Sequence, residues 1–138
     1  MFRRLNWLVM FCATLIALIG ARPYAGSWND GGRLATVESL VDHGTWAIDR
    51  SIFVDVPADN SPYPNDPDLI LEHGTLDKLL IRGDYYSDKS PVPNLLLAIV
   101  YKLTQSCTGL TASQQPHLFC WWMTFSRRVQ RLPNAPVS

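Results

Sequence analysis

The chain has 138 residues, room for about one small domain, and its 12 acids balance its 12 bases. That balance excludes a bulk-charge attraction to nucleic acid, and Cys12, Cys107 and Cys120 fit no zinc-binding spacing. Arg3 and Arg4 at one end, Arg127, Arg128 and Arg131 at the other, and apolar blocks near both ends fit a membrane-associated chain.

Residues 1–4 form a basic start. Leu5 to Ala21 (LNWLVMFCATLIALIGA) carries no charge, and at ~1.5 Å per residue it reaches about 25 Å, the short end of a membrane span. It reads either as a transmembrane helix with a cytoplasmic N-terminus or as a cleaved signal peptide. Both readings put the rest of the chain outside the cytoplasm. Arg22-Pro23 ends the helix, because proline lacks the next backbone donor.

Residues 22–116 read as an extracytoplasmic loop with short helices. Asn29 or Asp30 caps the first of these. Leu34, Val37, Leu40 and Val41 form its apolar stripe, while Glu38, Asp42 and His43 face elsewhere, and Gly44 ends it. Trp46 then suits the headgroup zone. Pro57 to Pro67 is a proline-rich irregular loop. Asp68 to Arg82 reads as a second short helix with Leu69, Leu71, Leu76, Leu79 and Leu80 as its apolar positions. Gly83 and Asp84 turn the chain, Pro91 and Pro93 pre-set a helix start, and Asn94 to Leu103 forms an apolar run. That run is too short to span a bilayer and suits an interfacial or a buried helix. His117 to Phe125 (HLFCWWMTF) opens like a second span, within residues 117–126, but meets Ser126, Arg127 and Arg128 after nine residues. Residues 127–138 read as a tail of different character. The fold class expected is therefore mainly α: one transmembrane helix, amphipathic or interfacial helices joined by irregular loops, and an incomplete second span. Cys107 and Cys120 are the pair able to form a disulfide, since Cys12 lies in the first apolar segment.

Few residues are placed for chemistry. Asp30, at a helix start beside Gly31 and Gly32, can act as a general base just outside a membrane; the plain alternative is an N-cap aspartate. Arg33 can pair with Asp30 or bind a phosphate, or be a solvated surface arginine. Lys89, flanked by Asp88, can neutralise a lipid phosphate or snorkel to headgroups. The acids between Ser51 and Asp77 could hold a divalent cation, but they lack the spacing of a calcium loop. His43, His73 and His117 share no ligand spacing.

The order of these features carries more than any one of them. Asp30-Gly31-Gly32-Arg33-Leu34-Ala35, Gly44-Thr45-Trp46, Tyr86-Ser87-Asp88-Lys89-Ser90-Pro91 and the closing Tyr101-Lys102-Leu103 follow one another in the chain. This order resembles the N-terminal portion of the multi-spanning, polyprenyl-phosphate-sugar-dependent glycosyltransferases, which include the protein O-mannosyltransferases and the bacterial aminoarabinose transferase. The likeness runs roughly from Arg3 to Leu103. It implies a retained first span, an inner (plasma) membrane location with an extracytoplasmic main loop, and hexosyl transfer from a polyprenyl-phosphate donor. In that light Asp30 matches the catalytic acid, Arg33 the basic position after it, and Asp88 with Lys89 the stretch near the donor phosphate. Gly31 stands where the family has a second acid, and Ser90 where it has a first proline. The partners implied are the lipid bilayer, the sugar donor and, because the family needs about ten or more spans, a missing remainder as a separate chain. On this reading the chain is a truncated portion, inactive by itself. A non-catalytic, membrane-anchored or secreted binding module is the alternative.

Overall fold

A computed structural model of the chain describes residues 2–54, 62–63 and 74–130, with side chains described for 7–54, 62–63 and 74–126. Among the described residues the fold is mainly helical, with four helices and one two-stranded sheet.

Helix α1 spans Phe2–Ile19. It begins before the arginines, so Arg3, Arg4 and Asn6 use part of its 18 residues. At ~1.5 Å per residue the apolar remainder falls short of the roughly 20 residues a bilayer core requires. No helix among the described residues is long and apolar enough to cross a membrane. The spanning architecture expected from the sequence is thereby overturned, both for the first segment and for the incomplete second span.

Helix α2, Trp28–Glu38, is capped by Ser27, whose hydroxyl accepts from the Asp30 N–H at 3.3 Å. The cap thus falls two residues before the earliest expected position. The helix runs on into a π-helical turn, Ser39–His43, and stops at Gly44, whose φ of 67° is the left-handed conformation that glycine adopts without steric cost. Leu34 and Val37 are buried, and Leu40 and Val41 pack against the same core.

The expected second helix is contradicted over its described part: Lys78–Ile81 is strand β1, paired antiparallel with β2, Asp84–Ser87. Arg82 and Gly83 both take positive φ (55° and 101°), the geometry of a tight two-residue hairpin turn. The leucines on β1 invite a helical reading by composition, but this turn pairs Leu79 with Tyr86 and Leu80 with Tyr85 instead. The part of that expected helix over 68–73 lies outside the described residues. The hairpin is fixed from behind: the Ile48 N–H donates to the Tyr85 carbonyl at 2.8 Å, and the Tyr85 N–H donates to the Asp49 carboxylate.

Helix α3, Pro91–Thr108, starts at the prolines and ends at Gly109, again left-handed (φ 71°). Its inner face is Asn94, Leu97, Ala98 and Tyr101, the i, i+3, i+4, i+7 stripe of an amphipathic helix. Its outer face, Val92, Leu95, Leu96, Ile99 and Leu103, is also apolar and stays exposed. Helix α4 runs without a break from Pro116 to Gln130. The hydrophobic core joins Leu34, Val37, Ile48, Phe53, Leu97, Tyr101, Phe119 and Met123, drawn from α2, α3, α4 and the turn between Ile48 and Phe53. Cys12 and Cys107 are exposed, Cys120 is buried, and all three thiols are free.

Two contacts set the direction of α2 against α3. At its start, Gly32 lies against Asp77 and Ser87, immediately before α3 begins. At its far end, Asp42 accepts from Tyr101 Oη at 2.8 Å and from Gln105 Nε2 at 2.6 Å. The two helices run side by side in the same direction, and their N-termini share one end of the molecule.

Candidate functional site

That shared end gathers most of the chemistry-bearing residues. Asp30 sits in the first turn of α2, half-buried. Its Oδ2 and the Arg22 Nη1 both close on the space over Gly26, at 3.2 and 3.0 Å from where a β-carbon would stand. Arg22 lies over the ring of Tyr24 at 5.7 Å. By sequence Arg22 marks only the end of a helix and Arg33 is the guanidinium expected near Asp30; Arg33 is half-buried on α2.

The two glycines after Asp30 serve the protein itself. A β-carbon on Gly31 would run into the Tyr63 hydroxyl, and one on Gly32 would sit 3.0 Å from the Asp77 carbonyl oxygen and 3.3 Å from Ser87 Oγ. Glycines beside a candidate base would let a bulky ligand approach the backbone. Here the space is taken by a tyrosine and by the chain leading into the hairpin. Thr75 joins the same contact, its hydroxyl donating to the Trp28 carbonyl at 2.8 Å and so tying that chain to the start of α2. Burial is the main reason the Tyr63 phenol is pushed well above its ordinary value; the neighbouring negative charges of Asp30 and Asp77 push the same way.

Lys89, on the short link between β2 and α3, meets two carboxylates: Asp88 Oδ1 at 2.9 Å and Asp77 Oδ2 at 3.2 Å. Its side chain is 16% exposed, that of Asp88 37%. The hydrogen bond to Asp88 comes first among the causes that hold its ammonium above the usual lysine range, with Asp77 adding to it. By sequence Asp77 is only one acid of an acidic stretch, because its pairing with Lys89 across the hairpin is not local. The structure therefore brings Asp30, Asp77, Asp88 and Lys89 to one end of the molecule, with Arg33 on the same helix as Asp30. Among the described residues no group of three or more metal-ligating side chains comes together. The acidic stretch considered for a divalent cation lies mostly outside the described residues.

A second carboxylate site lies deeper. Glu38, expected to face away from the core, is only 2% exposed. Ser51 Oγ donates to its Oε2 at 2.7 Å and the Ile52 N–H donates to the same oxygen at 3.1 Å. Desolvation outweighs these two bonds, and the carboxyl is pushed up to about 7. Asp42, also expected to face elsewhere, is tied to α3 through Tyr101, whose hydroxyl in turn accepts from the buried Ala112 N–H at 2.6 Å.

No family model, no curated protein and no solved structure matches the chain.

Proposed function

We propose that the cluster at the α2 and α3 N-termini is part of a glycosyl-transfer site working at a lipid surface on the extracytoplasmic side of the plasma membrane. The donor is a polyprenyl-phosphate sugar. Asp30 takes the proton of an acceptor hydroxyl as its oxygen attacks the anomeric carbon. The bond from that carbon to the phosphate oxygen breaks, and its electron pair leaves with the polyprenyl phosphate. Lys89 meets that phosphate by exchanging Asp88, the more exposed of its two carboxylate partners. The observation that carries this reading is the juxtaposition of Asp30 with the Asp77–Lys89–Asp88 ion pairs, bridged by Gly31, Gly32 and Tyr63. Transfer also needs groups to orient the acceptor and screen the donor, and a further segment or partner chain supplies them. The chain alone is inactive on this reading.

The test is a titration of the full chain with a water-soluble, short-chain polyprenyl-phosphate sugar, followed by amide chemical shifts. Shifts are expected at Asp88, Lys89 and Gly31 to Arg33. Lys89→Gln should weaken binding about tenfold, while Asp30→Asn leaves donor affinity unchanged. Equal affinity of Lys89→Gln and the parent chain would sink the proposal. A non-catalytic binding module is the second reading. It is favoured by the full pairing of Lys89 with two acids and by a core that closes around α2, α3 and α4. It expects no response of the Lys89 amide to the phosphate donor.

A further inference from the structure

The tip of the hairpin reads Arg82-Gly83-Asp84, and all three residues are exposed. It stands one strand length, about 13 Å at ~3.4 Å per residue, from the end where Asp77 meets Lys89. Arg82 is the one non-glycine residue with positive φ among the described residues, at 55°. Left-handed backbone strains a residue that has a β-carbon, and a two-residue turn favours asparagine, aspartate or glycine there. The turn itself therefore does not call for an arginine, and strain kept at an exposed position points to a use. Neither the guanidinium nor the Asp84 carboxylate has an ion pair or hydrogen bond among the described residues. A β-carbon on Gly83 would meet nothing within 4 Å, so the backbone between the two charges lies open, unlike that of Gly31 and Gly32. The turn is held from behind. The Tyr85 N–H, next in the chain to Asp84, donates to the Asp49 carboxylate, and the Tyr85 carbonyl accepts from the Ile48 N–H. Lys78 Nζ lies 4.8 Å from the centre of the Tyr85 ring. An unpaired cation and an unpaired anion, with bare backbone between them on a fixed turn, form a preorganised docking element.

We infer that Arg82-Gly83-Asp84 docks into a receptor protein whose cleft holds a divalent cation at one end and an acidic side chain at the other. Asp84 supplies a carboxylate oxygen to an open coordination position of that cation, since hard cations such as Mg²⁺ and Mn²⁺ take such ligands. Arg82 forks onto the receptor's acid with two parallel hydrogen bonds. Gly83 lets the receptor surface lie against the backbone between them. A single exposed charge fits any counter-ion, whereas a cation and an anion in fixed tandem fit only a cleft that offers both groups at that spacing. The adhesion receptors that bind Arg-Gly-Asp peptides, the integrins, offer this pair. Sugar transfer plays no part in the contact.

The full chain is immobilised, and the purified headpiece of an Arg-Gly-Asp-binding integrin is passed over it, first with Mn²⁺ and then with EDTA. Binding is expected with Mn²⁺ and its loss with EDTA. A soluble Gly-Arg-Gly-Asp-Ser-Pro peptide should compete, and the counterpart with glutamate in place of aspartate should not. Asp84→Glu keeps the charge but moves the carboxylate by one methylene, and should weaken binding about tenfold or more. Arg82→Lys loses the planar fork and should weaken it about tenfold. Arg82→Asn suits the turn better, so the thermal midpoint should rise while binding is lost, which separates the contact from the fold. Absence of binding with Mn²⁺, binding that persists in EDTA, or undiminished binding of Asp84→Glu overturns the inference.

Discussion

Helix α2 carries a carboxylate near each end, and the fold treats them in opposite ways. Asp30 stays half-buried beside Arg22 at an end where charges gather. Glu38 is sealed under the turn from Ser51 to Phe53 and answered by one hydroxyl and one backbone N–H. Both sit on one short helix, yet only the second is set by core packing. One helix can thus serve as a structural strut at one end and as a platform for chemistry at the other. What decides between them is the chain laid across each end.

The sharpest way to break this contrast is at Gly31. Gly31→Ala drives a β-carbon into the Tyr63 hydroxyl, and the overpacking should cost about 3 kcal/mol in a denaturant titration. Adding Tyr63→Phe should recover part of that loss, because the colliding oxygen is gone. At the other end, the pH dependence of stability tests Glu38. Its folded value of about 7 lies above the ordinary carboxyl value of 4.5, so the native state holds this proton more tightly than the unfolded chain. The resulting stabilisation is full below pH 4.5 and is lost as pH rises through about 7, a change of roughly 3 kcal/mol at most. Subtracting the profile of Glu38→Gln, which cannot ionise, should expose that slope. A flat difference would show that the carboxyl is solvated after all. Tyr101→Phe should cost about 1–2 kcal/mol, because the buried Ala112 N–H loses its acceptor and Asp42 a donor. The smallest effect belongs to the platform end: Lys89→Gln should leave the thermal midpoint unchanged while donor binding weakens. A large drop in midpoint would reassign Lys89 to the strut.

Local signals served well where the physics is local. Pro91 and Pro93 opened a helix, Gly44 closed one, and the apolar stripe of α2 met the core. The failures share a cause. Glu38 and Asp42 lie beside the stripe by periodicity, but their partners Ser51, Tyr101 and Gln105 come from other elements. The leucines of β1 follow no clean period, and the pairing with β2 depends on the turn at Arg82 and Gly83. The uncharged stretch from Leu5 to Ala21 differs from the helix that forms, which begins at Phe2, includes Arg3 and Arg4 and ends at Ile19. Asp30 and Lys89 stand out from their local setting, a helix start beside two glycines and a lysine beside Asp88, while Arg22, Tyr63 and Asp77 join them only in the folded chain.

The parallel course of α2 and α3 has an electrostatic corollary. Helix dipoles laid head beside head reinforce each other, so the shared end carries the partial positive charge of two helices. Asp30, Asp77 and Asp88 sit around that end and act as its counter-ions. An incoming anion that displaces one of them enters a field already favourable to negative charge, and added salt screens that field.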